Sequence, residues 1–215
     1  MCIQNNQLAV KAVIFDLDGT ITEPFLDFDL MREQMQLDKD AGPILEVIKD
    51  SPEHQREKMK KNLEHHEEQA IENSALNPGV SQTLDKLRKM GIQTAILTRN
   101  TRKNAIAVTE KHCLEFDSFF GRDDGPSKPD AFGVLKLAEE FGVSPQQVLV
   151  VGDYLHDLQA ARAAGAHPVL IMTHKNYSEF LEYAEFEIDR ISDIIPIIEK
   201  LNDKQRNSGG ENYAV

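Results

Sequence analysis

The run Val10-Lys11-Ala12-Val13-Ile14-Phe15 passes directly into Asp16-Leu17-Asp18-Gly19-Thr20, and that junction limits the folds open to the chain. A segment so apolar reads as a strand buried on both faces, the signature of a parallel sheet covered by helices. Two carboxylates at its end are costly to bury unless cations meet them. Side chains alternate along extended backbone, so Asp16 and Asp18 share a direction while Leu17 points into the core. Gly19 permits a sharp turn and a close approach to a ligand. The same pentapeptide also fits a plain strand followed by an Asp-Gly turn, with no chemistry.

Four further apolar runs, Ile92 to Leu97, Phe116 to Gly121, Val148 to Val151 and Pro168 to Met172, are joined by a short sixth, Glu185 to Ile188. Helix-periodic segments separate them, which predicts an α/β fold with a Rossmann-like, doubly wound parallel sheet. Val80, Leu84, Leu87 and Met90 mark one helix face. Gly165 is placed to stop a helix running from Asp157, and Ser192 precedes an apolar helix over Ile194 to Leu201. Residues 24–77 break the rhythm with three helical segments parted at Gly42-Pro43 and Ser51-Pro52, Ser51 reading as an N-cap. The expected organisation is an α/β core over 8–23 and 78–201, an inserted helical cap over 24–77, and a disordered polar tail over 202–215. An insertion directly after the first strand falls at the sheet end where such folds bind ligands.

Hydrophobic residues at 40% and charged residues at 28% describe a globular chain rather than a disordered one. The formal net charge of -12 argues against nucleic-acid and anionic-membrane partners and obliges any small anionic substrate to find local cations. Cys2 and Cys113 are too few for a disulfide framework or thiolate metal site and suit a reducing compartment. No apolar stretch approaches the roughly 20 residues of a membrane span. Met1 to Gln7 is short and polar for a secretory signal, so a cytoplasmic monomer or homodimer is expected.

Three later strand ends also carry chemistry. Thr98-Arg99-Asn100 offers a hydroxyl, an amide and helix-start N–H groups to an anion, although Thr98 or Thr101 also fits a simple N-cap. Lys128, in Ser127-Lys128-Pro129-Asp130, fits a solvated loop lysine when taken alone. Gly152-Asp153-Tyr154-Leu155-His156-Asp157 ends another buried strand in acids, and Asp153 meets Asp16 if the two strands are neighbours. Asp157 also fits a helix N-terminal acid.

In this order and over Val10 to Leu201, the set resembles the haloacid dehalogenase superfamily, in its phosphoglycolate phosphatase-like and β-phosphoglucomutase-like branch with a small helical cap. The resemblance implies that Asp16 is a nucleophile forming an aspartyl-phosphate, and that Asp18 is the general acid/base. It implies Mg²⁺ held by Asp16, the Asp18 carbonyl and Asp153, with Asp157 in a supporting or water-mediated position. Gly19, Thr98, Arg99 and Lys128 would hold phosphoryl oxygens. An acid at position 18 separates phosphoryl transfer from dehalogenation, because halide leaves without a proton. The implied substrate is a small phosphorylated metabolite. A phosphomutase of the β-phosphoglucomutase type and a catalytically silent metal- and phosphate-binding module are the alternatives. Within the cap, Arg32, His54, Arg56 and Lys60 are candidates for an anionic substrate tail, against the plainer reading of a solvated charged face. His65 and His66 are adjacent and do not share a helix face, so they read as solvated rather than as a zinc pair, and His156 reads as a loop residue.

Overall fold

The chain is described by a computed structural model over residues 9–208. Six strands, β1 (Ala12–Phe15), β2 (Gln93–Leu97), β3 (Ser118–Phe120), β4 (Val148–Gly152), β5 (His167–Ile171) and β6 (Phe186–Ile188), pair in parallel in the order β3-β2-β1-β4-β5-β6. The chain winds outward from β1 to one edge, returns to β4 beside β1, and winds to the other edge. The winding therefore reverses between β1 and β4, which places a crevice at their carboxyl ends. Phe15 lies level with Ile96 on one side and Val151 on the other.

The chain divides into two compact units, one built from the residues up to Pro24 and from Ala75 onward, the other from Phe25–Ser74. The second holds α1 (Phe28–Gln34), α2 (Ile44–Asp50) and α3 (Glu53–Asn73), with its own core of Met31, Ile44, Ile48, Met59 and Leu63. Its limits are narrower than the 24–77 read from sequence. Leu76 bridges Thr22, and Asn77 hydrogen-bonds the Gly19–Thr22 backbone, so both belong with the sheet. Ser51 closes α2 with its hydroxyl on the Val47 carbonyl at 2.7 Å, and Pro52 rather than Ser51 is the N-cap of α3.

The sheet-bearing unit adds α4 (Val80–Lys89), α5 (Arg102–Lys111), α6 (Phe132–Glu140), α7 (Leu155–Ala164) and α8 (Ile194–Ser208). Every residue of β1 is buried, as its composition requires. Ala12 and Ile14, with Ala95, Leu97, Val148 and Val150, pack on Val134, Leu137 and Ala138 of α6 and Ala160, Ala161 and Ala164 of α7. The small residues of α7 let it lie close to the sheet, and Gly165, at φ 75°, ends it. The disordered tail expected from residue 202 is corrected: α8 continues to Ser208, and Asn202 Oδ1 accepts the Val10 N–H at 2.8 Å. Residues 209–215 of that expected tail lie outside the described residues. No helix among the described residues is long and apolar enough to cross a membrane.

Ile14 is fully buried at the centre of the sheet, whereas Leu135 on α6 is 44% exposed. Ile14→Ala should therefore lower unfolding free energy by about 2–5 kcal/mol and Leu135→Ala by less than about 0.5 kcal/mol, measured by urea unfolding. Equal losses would contradict this placement of the core.

Candidate active site

Strand ends build the site. The Asp16 N–H donates to the Val151 carbonyl at 2.8 Å, carrying the β1–β4 pairing one residue past the strand and holding Asp16 at the crevice. Beyond it the chain makes one tight turn, with the N–H groups of Ile21 and Thr22 on the Leu17 carbonyl at 2.9 and 3.0 Å. Gly19 has φ 88°, and a Cβ there would overlap the Asp153 carboxylate. Glycine is thus required both by the turn and by the approach of Asp153 from the end of β4. Leu17 is fully buried and Asp18 half-buried, in keeping with opposite directions for the two side chains.

Lys128, expected on sequence alone as a solvated loop lysine or as a family site residue, is 3% exposed. Its Nζ donates to Asp16 Oδ1 at 2.5 Å, Asp157 Oδ1 at 2.5 Å and the Leu97 carbonyl at 2.7 Å. An ammonium has three N–H donors, and each has an acceptor. Burial works against the charge of Lys128, but Asp157 and Asp16 outweigh it and hold its pKa above the usual lysine value. Asp157 is fixed from its other oxygen as well: Oδ2 accepts the Tyr154 N–H at 3.2 Å. The capping acid and the site acid are therefore one residue.

Carboxylate oxygens of Asp16, Asp153 and Asp157 lie within 4.8 Å of one another, all three residues buried. Burial pushes the Asp16 carboxyl up to about 7, against the pull of Lys128, with Asp157 and Asp18 adding to the rise. Burial also raises Asp153 well above the usual carboxylate range, helped by the Asp16 and Asp157 charges. With all three ionised, these carboxylates face one ammonium, an excess of two negative charges on oxygen donors alone. That donor set suits a hard divalent cation and offers nothing to one that prefers nitrogen or sulfur. The Asp18 carboxylate is not among the three.

On the β2 side, Thr98 is 3% exposed and its Oγ1 accepts the Asn100 N–H at 3.0 Å, while Thr101 is the N-cap of α5 through the Asn104 N–H. The Arg99 guanidinium donates to the Lys128 carbonyl at 2.6 Å and meets His156 Nδ1 at 3.2 Å. Because arginine only donates, Nδ1 is the acceptor of this bond. The loop position expected for His156 is corrected: it lies in the first turn of α7. Two residues not singled out from the sequence also converge here. The Asn77 Nδ2 lies 3.1, 2.8 and 3.0 Å from the carbonyls of Gly19, Thr20 and Thr22, its backbone N–H reaches the Ile21 carbonyl, and the Thr173 hydroxyl donates to the Gly19 carbonyl at 2.6 Å. Asn-Pro-Gly reads locally as a turn, and Thr173 announces itself only by following a strand.

Inside the helical insertion, Arg32 binds Asp29 and the Gly42 carbonyl, Arg56 binds the Lys49 and Ser51 carbonyls, and Lys60 pairs with Glu57 at the surface. Arg32 and Arg56 thus tie the insertion's own turns, and His54 is exposed. The expectation of a solvated His66 is corrected: it is 8% exposed, with Nε2 2.8 Å from Gln34 Oε1, while His65 is exposed.

The model of the haloacid dehalogenase-like hydrolases matches residues 10–165, well over half of the chain. The chain belongs to this family. As a haloacid dehalogenase-like hydrolase it is 29% identical over 203 residues to an uncharacterized hydrolase of Saccharomyces cerevisiae, covering 90% of this chain and 93% of the yeast protein. It is 31% identical over 138 residues to a phosphoglycolate phosphatase of Escherichia coli, covering 61% of this chain and 54% of that enzyme. A crystal structure of β-phosphoglucomutase from Clostridium difficile superposes with a TM-score of 0.72 at 19% identity, over 92% of this chain and 99% of that one, and so shares the fold. The buried acidic cluster agrees with the general metal dependence of haloacid dehalogenase-like hydrolases.

The folded hydrolase keeps protons on Asp16 and Asp153 that the unfolded chain has already released, from about pH 4 up to the raised folded values. Stability of the metal-free protein should therefore fall as pH rises through that window. Asp153→Asn removes one of the groups whose retained proton produces this fall, so the metal-free Tm should decline less steeply with pH than in wild type. Calorimetry from about pH 5 to pH 8 checks this, and parallel declines for wild type and Asp153→Asn would contradict it.

Proposed function

We propose that this hydrolase is a Mg²⁺-dependent phosphatase of small organic phosphomonoesters, working through an aspartyl-phosphate on Asp16. The observation that carries the reading is the Lys128 ammonium 2.5 Å from Asp16 at the point where Asp153 also arrives, a nucleophile and its charge compensation in one buried place. Mg²⁺ would be held by the Asp16 and Asp153 carboxylates and the Asp18 carbonyl. When bound it supplies Lewis-acid charge opposite the phosphoryl oxygens. Asp157 has both oxygens engaged by Lys128 and the Tyr154 N–H, which supports an orienting role over direct ligation.

In the first half-reaction a lone pair of the Asp16 carboxylate forms the bond to phosphorus while the bond from phosphorus to the leaving oxygen breaks. Asp18 gives that oxygen its proton, and the alcohol departs. In the second, Asp18 takes a proton from water, the water oxygen bonds phosphorus, and the bond to Asp16 breaks. Inorganic phosphate leaves, and Asp18 is protonated again. Thr98 Oγ1 accepts from Asn100, so its own hydrogen is available for a phosphoryl oxygen. Lys128 and the N–H groups of Gly19 and Arg99 stabilise the charge that develops there. The E. coli relative, a phosphoglycolate phosphatase, supports a small phosphomonoester as the substrate class. The likeness to β-phosphoglucomutase concerns fold alone and does not displace this reading.

A panel of phosphomonoesters assayed with and without Mg²⁺ tests it. Phosphate release should need Mg²⁺ and vanish with chelator, Asp16→Asn should lower kcat/KM on the order of 10⁴-fold or more, and Asp18→Asn should lower kcat about 10²–10⁴-fold. Release that survives Asp16→Asn would contradict the mechanism, and sugar phosphate isomerisation without net release would favour a mutase.

A further inference from the structure

Asn77 lies at the return from the helical insertion, 8% exposed, where the outgoing and returning segments pair: the Glu23 N–H reaches the Ala75 carbonyl at 2.9 Å, and Thr22 bridges Leu76. From there it donates to four consecutive carbonyls, three from Nδ2 and the Ile21 carbonyl from its backbone N–H at 3.0 Å. Four peptide dipoles aimed at one residue concentrate negative potential. Hydrogen-bond donors at that point hold them together. A carboxamide has two hydrogens for three carbonyls, so the bonds are shared and the amide plane has little freedom to turn. The Gly19 carbonyl is held a second time by the Thr173 hydroxyl at 2.6 Å, from beyond the end of β5. The peptide after Asp18 and Gly19 is therefore fixed from two separate elements, while Ile21 and Thr22 turn their own N–H groups inward to the Leu17 carbonyl.

We propose that Asn77 and Thr173 are positioning residues for the hydrolytic reaction, clamping the carbonyls of the Gly19–Thr22 turn so that the Asp18 carboxyl and the Gly19 N–H keep their reactive placement. The inference rests on the reading of Asp18 and Gly19 as groups that act on the phosphoryl centre. Neither residue touches substrate. Their effect falls on the chemical step, which is sensitive to displacements of about 1 Å, rather than on binding.

Thr173→Val keeps the side-chain shape and removes the hydroxyl donor, while Thr173→Ser restores it. With a phosphomonoester and Mg²⁺, Thr173→Val should lower kcat about tenfold with KM within about twofold of wild type, and Thr173→Ser should recover most of the loss. Asn77→Ser, which withdraws the shared donor, should lower kcat about 10²-fold. Ile198→Ala, at a fully buried position of α8 with no hydrogen bond to the turn's carbonyls, supplies a variant of lowered Tm and should keep wild-type kcat at temperatures well below its melting. The proposal is overturned if Thr173→Val turns over like wild type, if Thr173→Ser is no better than Thr173→Val, or if Ile198→Ala loses kcat as the clamp variants do. A wild type that releases phosphate from no phosphomonoester would instead overturn the functional reading, and the clamp's role with it.

Discussion

One buried ammonium, Lys128 Nζ, joins three parts of the fold that meet nowhere else in sequence: Asp16 beyond β1, the Leu97 carbonyl ending β2, and Asp157 in the first turn of α7. Its own backbone is held in turn by Arg99 through the Lys128 carbonyl. Removing one partner of such a pair strands a charge in low dielectric, at about 3–5 kcal/mol, so the interaction is strongly constraining even where its net contribution to stability is small. It also sets the direction of the Asp16 carboxylate. In the role proposed for Asp16, a carboxylate held from one oxygen by a fixed cation loses little further freedom on meeting its target.

The charge arithmetic of the site opposes stability. Burial raises both Asp16 and Asp153, and Lys128 offsets only part of the repulsion among three carboxylates. A fold selected for stability alone would bury apolar groups at the end of β4, so acids there are what the proposed metal and phosphate site would cost in stability. The chain's net charge of -12 sharpens the same point, because the anionic substrate proposed would have to find its attraction locally.

The sheet was legible because its strands are buried on both faces and so read as unbroken apolar runs, and the acids were legible because each follows such a run. Asp153 and Asp16 meet because β4 pairs β1, an adjacency that neither segment reveals by itself. What escaped the sequence are contacts made across long separations. Asn202 looked like the start of a polar tail, but its carboxamide oxygen caps the Val10 N–H on the far side of the chain. His66 looked solvated on a charged helix, but Gln34 of α1 meets it. Asn77 lay inside a turn-like Asn-Pro-Gly, and nothing local says that its carboxamide and backbone N–H together bind four carbonyls laid down more than fifty residues earlier. Within the insertion, the arginines that looked like anion readers spend donors on the insertion's own carbonyls.

The identity of the nucleophile can be read directly. The enzyme is quenched with acid while turning over a phosphomonoester, reduced with borohydride, and digested for mass spectrometry of the peptide that carries Asp16. An acyl-phosphate at that carboxylate is reduced to homoserine at position 16, and that is the predicted product. Sustained phosphate release with Asp16 unreduced, or reduction at another carboxylate, would contradict the assignment on which the reading of this site depends.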